Sequence, residues 1–377
     1  RARAESEAAA ARAAQAQSGQ RLTQLVELSD RTLNDVHAAI ERLPGSVDAR
    51  RKIVDTTLQF LEDLSKDAGD DDQLRLVLAD GYTKVADVLG YPFVSNLGDT
   101  KGAMENYSRA LAMVEPLLRK EPERPEYLRQ WAITSHQAAS LRTSMGDPAG
   151  LREALRILPA VRKLPAICPK DPDCQLMPAV VYSHLTGVYR ERDAERALQY
   201  SQLHRQAMEA ALKALPANVQ LRLELAIAYS REATALNRKG ELRKATQLFE
   251  RAIALRQDYL RQHPSDAPTR RTLMITYAAL GGNLGGRSFP NLGDLSGARH
   301  YYGKALEIAR DLAAADPQNH LAQYDLGVAL YLYASLDPPA GEQPPALEML
   351  EEAESVLKKV AAADPKRVAT LRHLAGC

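Results

Sequence analysis

The sequence predicts an all-α chain, an α-α superhelix of stacked helix pairs with lengthened helices, at about 48 residues per pair. Three observations lead there. Only 5% of the 377 residues are aromatic, Ala and Leu abound, and the β-branched residues that build strands are sparse. A four-residue pattern recurs with identical offsets of four, three and twelve: Ala103, Tyr107, Ala110, Pro122; Ala245, Phe249, Ala252, Pro264; Ala298, Tyr302, Ala305, Pro317; Ala346, Leu350, Ala353, Pro365. Finally, Gly98 to Gly146 and Gly293 to Gly341 each span 48 residues. Helices that cross closely need small side chains at the crossing, with a large ring in the neighbouring groove, which accounts for the Ala and Tyr or Phe positions.

This order, joined to "LADGY" (Leu78–Tyr82) and "LAIAY" (Leu225–Tyr229), resembles the tetratricopeptide repeat (TPR) family. The family unit is about 34 residues, with about five residues from the last Ala to the Pro and about nine from the Tyr to the first Ala. Here those spacings are twelve, and sixteen from Tyr229 to Ala245. Seven extra residues per helix are two turns, so the apolar face keeps its phase.

The elements follow in order. Residues 1–21 are Ala, Arg, Glu and Gln with scarcely an apolar side chain, a solvated helical linker. Residues 22–67 read as N-terminal helices capping the array. Within them Leu22, Val26, Ser29, Leu33, Val36, Ile40 and Leu43 form a heptad-like seam. It either packs on Ile53–Leu64 or supports self-association through residues 22–43. Residues 68–377 form a TPR-like solenoid of about six helix pairs and a truncated final helix. The pairs are Leu74–Gly90 with Thr100–Lys120, Tyr127–Met145 with Pro148–Leu164, then Leu176–Leu215, Leu221–Gln262, Thr269–Ala315 and His320–Ala363, with Val368–Leu374 starting another helix. Pro159, Pro165 and Pro178 predict a kink or an early stop in the middle of the array, and His204 stands where four other units have Ala. "NLGD" occurs at Asn96–Asp99 and at Asn291–Asp294. Each copy marks a five-residue insertion between first and second helix, with a left-handed turn at Gly98 or Gly293 and a helix cap at Asp99 or Asp294. A ligand role for the loops through Phe93 and Phe289 is the lesser reading.

The block "VHAAIERLPGSVDARRKIVDTTLQFLEDLSKDAGDDDQLRLVLADGYTKVADVLG", followed by "NLGD" and "GAMENYSRAL", is similar to a second and narrower group. It resembles the helical region C-terminal to the kinase domain in bacterial membrane-anchored serine/threonine protein kinases, where a kinase domain and one spanning helix precede an Ala/Arg/Glu-rich segment, Leu-Pro-Gly-Ser and repeats. Leu43–Ser46 match that tetrapeptide, and the repeats occupy the rest of the chain. Neither kinase domain nor spanning helix is present here. The resemblance implies a part of a larger signalling protein, placed outside the cytoplasm, with the membrane reached only through a missing upstream anchor. The start at Arg1 instead of Met also suggests a piece of something longer.

Composition and motifs narrow the function classes. Lys and Arg number 49 against 48 Asp and Glu, a net charge of +1, which argues against a nucleic-acid partner. No apolar stretch approaches the roughly 18 residues of a membrane span, and no signal-peptide core is present. There is no G-x-x-x-x-G-K-[ST], H-E-x-x-H, kinase H-R-D or D-F-G, or G-x-S-x-G. "GGNLGG" (Gly281–Gly286) lacks the Lys and strand of a phosphate loop and reads as a loosened helix end, while "GDDDQ" (Gly69–Gln73) reads as a helix N-cap and not a cation site. We expect no catalytic residues, cofactor or metal. Of the three cysteines, Cys168 and Cys174 either close a small disulfide loop, in an oxidising compartment, or stay free thiols at a bend.

Binding is what such an array supports: a protein or peptide partner in a concave groove lined by first helices, in an interaction, scaffold or sensory domain. Candidate groove residues outside the signature positions are Lys84, Gln130, His136, His184, Arg231, Asn237, Asn283 and Tyr331. Tyr82, Tyr229 and Tyr277 are weaker candidates because the repeat asks for them as packing residues. The rival readings are the interaction module of a TPR-containing transcriptional regulator and an enzyme with a site in the groove.

Overall fold

A computed structural model describes residues 47–67, 69–92, 96–286, 290–336 and 343–363. Residues 1–46, Phe93, Phe289, Gly341 and Val368–Leu374 lie outside that set, and with them the linker, the heptad-like seam and the Leu-Pro-Gly-Ser stretch. The described residues form helices and connecting turns. The chain divides into two compact units, Arg1–Val188 and Tyr189–Cys377. The first holds α1 (Val47–Asp67), α2 (Asp72–Gly90), α3 (Thr100–Lys120), α4 (Pro125–Ser144), α5 (Ala149–Val161), α6 (Leu164–Ile167) and all but the last residue of α7 (Pro172–Tyr189). The second holds α8 (Ala194–Ala214), α9 (Val219–Arg238), α10 (Leu242–Gln262), α11 (Ala267–Gly285), α12 (Leu295–Ala315), α13 (His320–Ala334) and α14 (Gln343–Ala363). Within each unit most consecutive helices pack on one another, and α2 also touches α4, α4 touches α6 and α9 touches α11, as in a TPR-like solenoid.

The Ala and ring positions of the first three instances are core, while in the fourth Ala353 is buried and Ala346 and Leu350 are half-buried. Ala103, Tyr107, Ala110, Ala245, Ala252 and Ala298 are fully buried, as nearly are Phe249, Tyr302 and Ala305. Each first-helix ring is flanked by a cation from its second helix: Arg109 over Tyr82, Arg156 over Trp131, Arg251 over Tyr229, and Lys304 over Tyr277. Two of these rings are also bonded to the preceding second helix twenty residues upstream, Tyr229 to Glu209 and Tyr277 to Gln257, and Tyr182 is bonded likewise to Arg162 at the end of α5.

One four-residue turn joins one pair to the next in five places: Glu121-Pro-Glu-Arg124, Cys168-Pro-Lys-Asp171, Leu215-Pro-Ala-Asn218, His263-Pro-Ser-Asp266 and Asp316-Pro-Gln-Asn319. In each, the first N–H closes the helix before it and the last N–H donates to the first carbonyl. Asp171, Asn218, Asp266 and Asn319 then accept from backbone N–H groups of the next helix. The proline falls where no amide donor is required.

The two NLGD stretches are bonded alike. Asn96 Nδ2 donates to Tyr91 O (2.8 Å) and Oδ1 accepts from Gly98 N (2.9 Å); Asn291 repeats this with Gly286 O (2.8 Å) and Gly293 N (3.0 Å). Gly98 and Gly293 have φ of 74° and 76°, and Asp99 and Asp294 cap the next helix through Gly102 N and Gly297 N. They are matching turns that return the chain after a longer connection.

The expected early stop near Pro159 and Pro165 and the expected N-cap at Gly69–Gln73 are both present, while the expectations at Pro178 and at Gly281–Gly286 change. The second helix of the second pair breaks into α5 and α6 between Arg162 and Lys163, whereas α7 runs through Pro178 and α3 through Pro116. Gly281–Gly286 is no loosened end, since α11 continues to Gly285. A Cβ at Gly281 would meet the Tyr302 ring at 2.7 Å and one at Gly285 would meet Asp294 O at 2.8 Å, so these glycines let α12 come close. Gly69–Gln73 is a helix start, with Asp71 accepting from Gln73 N and Leu74 N.

Candidate functional site

The eight candidate residues sit on first helices, and packing separates them into two groups. Gln130, His136, His184, Asn237 and Asn283 are buried and bonded to protein neighbours. In the first unit Gln130 of α4 donates to Thr83 of α2 (3.1 Å) and to Thr134 (3.2 Å). Ser140 lies between His136 Nε2 (3.3 Å) and His184 Nδ1 (3.4 Å), the two rings meet edge to face, and His184 Nε2 contacts Thr143 Oγ1 at 3.0 Å. In the second unit Asn237 of α9 donates to Asn283 of α11 (2.7 Å) and to Pro290 O (3.1 Å), and Asn283 donates to Leu242 O and Thr246 Oγ1 of α10. These five side chains fasten one helix pair to the next, which is a correction to their expected place on a solvent-lined groove. Lys84, half-buried beside Asp80 (2.8 Å), Arg231, exposed, and Tyr331, half-buried, retain access to solvent.

Burial sets the protonation of the polar seam. It holds His136 down to about 3, helped by the neighbouring His184, and His184 itself down to about 4. Asp87 on α2 accepts from Tyr107 of α3 (2.5 Å) and Gln137 of α4 (2.8 Å). Burial, against those bonds, pushes its carboxyl up to about 7, and burial beside Asp87 raises the Tyr107 hydroxyl far above its ordinary range. Gln137 Oε1 has no donor among the described residues.

Several polar residues carry no mark in the sequence. Arg271 of α11 grips Asp325 of α13 with two bonds (2.5 and 3.1 Å), Arg205 of α8 pairs with Glu232 of α9 (2.6 Å), and Arg256 of α10 is buried near Glu224. Only the offset from Ala252, four residues on along α10, places Arg256 on the packed face. Cys168 and Cys174 are joined in a disulfide across one of the recurring turns, where Arg129 also pairs with Asp171. Among the described residues no group of three His, Cys, Asp or Glu is placed to hold a metal ion, and no helix is long and apolar enough to cross a membrane.

These features define an all-α, TPR-like helical-repeat protein whose polar residues largely serve the stacking of its units. The sequence matches no protein-family model and no curated protein. Solved structures similar to the chain include TTC0263, a thermophilic TPR protein of Thermus thermophilus, at 24% identity, covering 63% of this chain and 96% of that one, with a TM-score of 0.34. YrrB, a TPR protein with an unusual peptide-binding site, is 18% identical over 69% of this chain and 96% of its own, at 0.29. Nro1, a hypoxic regulator of sterol synthesis and nuclear import adaptor, is 10% identical over 86% and 99%, at 0.47. The fold assignment rests on the helix pairs themselves.

Proposed function

We propose that the chain is a non-catalytic protein-interaction domain, the scaffolding or sensory part of a larger signalling protein, and that it holds a peptide or protein on the first-helix face of its repeats. Residues 68–377 are the working array in this reading, with residues 22–67 as its cap. The observation that carries it is that first helices locked to one another by the Asn237–Asn283 and Arg271–Asp325 bonds each keep a solvent-accessible side chain, Arg231 on α9, Ile275 (44%) on α11 and Tyr331 on α13. A rigid frame presenting a few accessible apolar and charged groups loses little entropy on binding an extended segment. The resemblance to kinase C-terminal regions supplies the signalling context and the bacterial, extracytoplasmic setting.

The test is peptide-library selection on the purified chain, followed by titration of the best binder against Lys84→Glu, Arg231→Glu, Ile275→Asp and Tyr331→Ala. We expect affinity to fall at least tenfold in two or more variants. Affinity unchanged across all four removes the first-helix face as the binding surface.

A further inference from the structure

The second unit contains one buried cation whose bonding is incomplete. Arg256 of α10 is 3% exposed. Its Nη1 donates to Ser230 Oγ and to Ala252 O, both neutral acceptors and both at 3.2 Å. Among the described residues, Nε and Nη2 have no protein acceptor, and no carboxylate lies within ion-pair distance. The other inward-placed arginines of this unit differ: Arg205 has Glu232 and Glu209, and Arg271 has Asp325. Taking a guanidinium out of water without a partner costs several kcal/mol, so a site that retains one commonly has an acceptor to offer it.

The surroundings indicate the sign of that acceptor. Glu224 of α9 is in electrostatic range of Arg256 and of Arg231, and Arg190 is in range of Arg231. Arg231 keeps solvent access, and burial nonetheless lowers its pKa. His204 of α8, in electrostatic range of Arg231, is buried and neutral, with Nδ1 lacking a partner. Arg190 is paired with Glu191 (3.3 Å), so the three arginines face two glutamates and one positive charge is in excess.

We propose that Arg256, with Ser230 beside it and Arg231 supplying the wider field, forms an oxyanion site in the second unit, taking a phosphate or carboxylate group onto the unspent N–H donors of Arg256. A guanidinium presents paired donors that match the oxygens of either group, and low polarity around it strengthens those bonds. The donors belong to a second helix, while Arg231 is shared with the first-helix face proposed above, so Arg256→Met reports on this site alone and Lys84→Glu and Ile275→Asp report on that face alone.

The test titrates inorganic phosphate and, separately, acetate into the whole chain by calorimetry at constant ionic strength. We expect saturable binding of at least one of the two, abolished in Arg256→Met and weakened in Arg231→Gln. Glu224→Gln, which removes the one nearby repelling charge, should tighten binding about fivefold. Absence of saturable heat with both anions overturns the proposal, as does equal binding by wild type and Arg256→Met. Should Arg256→Met fail to fold, an affinity unmoved by Glu224→Gln overturns it as well.

Discussion

Asp87 shows how burial decides protonation at a single residue. Its carboxyl titrates at about 7 in the folded chain against an ordinary 3.8, so the folded state holds the proton more tightly. The stability it contributes is complete below pH 3.8 and is lost as pH rises through 7. Asp80 and Lys84 on its own helix, Tyr107 on α3 and Gln137 on α4 are the groups that face it. Asp87→Asn, which needs no proton to be neutral, should be more stable than wild type by about 4 kcal/mol at pH 8.5 and by about 1.5 kcal/mol at pH 5, the two converging below pH 3.8, as read by urea unfolding. His136, His184 and His204 act in the opposite sense. Their folded values of about 3, 4 and 3 lie below the ordinary 6.5, so their contribution is complete above pH 6.5 and is lost as pH falls toward 4. Three histidines outnumber the raised Asp87 and Glu224. Stability should therefore drop between pH 6.5 and 4.5 by roughly 1.4 kcal/mol per pH unit for each proton of net uptake. A flat profile over that range contradicts the burial of these rings.

At the scale of elements, the turns carry the architecture. Gly282 faces little except the Tyr302 hydroxyl at 3.5 Å, whereas Gly285 abuts the Asp294 carbonyl. Gly282→Ala should stabilise by up to about 1 kcal/mol through helix propensity, while Gly285→Ala should destabilise by about 1 kcal/mol or more. Thermal unfolding of the two variants distinguishes packing glycines from merely flexible ones. The Cys168–Cys174 bond closes a short loop over a turn already held by Asp171 and Gln175. A double Cys→Ser variant should lose about 2 kcal/mol. Helix spans and caps were legible because proline, capping residues and apolar period act through nearest neighbours along the chain. The break at Arg162–Lys163 was legible only as a region: Pro159, Pro165 and Pro178 look alike in sequence, yet packing tolerated one of them inside α7.

At the scale of the whole molecule, a stack of repeats confines damage. Ala252 is fully buried at a crossing of second and first helix. Ala252→Leu should destabilise by about 1–3 kcal/mol. The faster hydrogen exchange it causes should peak in α9, α10 and α11 and fade with distance along the second unit. Uniform acceleration through that unit counts against stacked, locally coupled repeats.

The sequence by itself determined the class of the molecule: helix pairs, their length, and the buried Ala and Tyr positions of a TPR-like array. It did so because periodicity and small-residue spacing are local requirements of helix packing. Tertiary structure decided which polar residues remained available. Gln130, His136, His184, Asn237 and Asn283 looked like groove residues because they fall outside the signature, but α4, α9 and α11 are each enclosed by their own second helix, the preceding second helix and a neighbouring first helix, and His184 of α7 meets Ser140 and Thr143 of α4. A polar side chain so enclosed must find a hydrogen-bond partner in the next pair, and which residue supplies it depends on the register of helices about 50 residues apart, as with Asp87 and Gln137. The same register left Arg256 buried with donors to spare, a property that no spacing along the chain records.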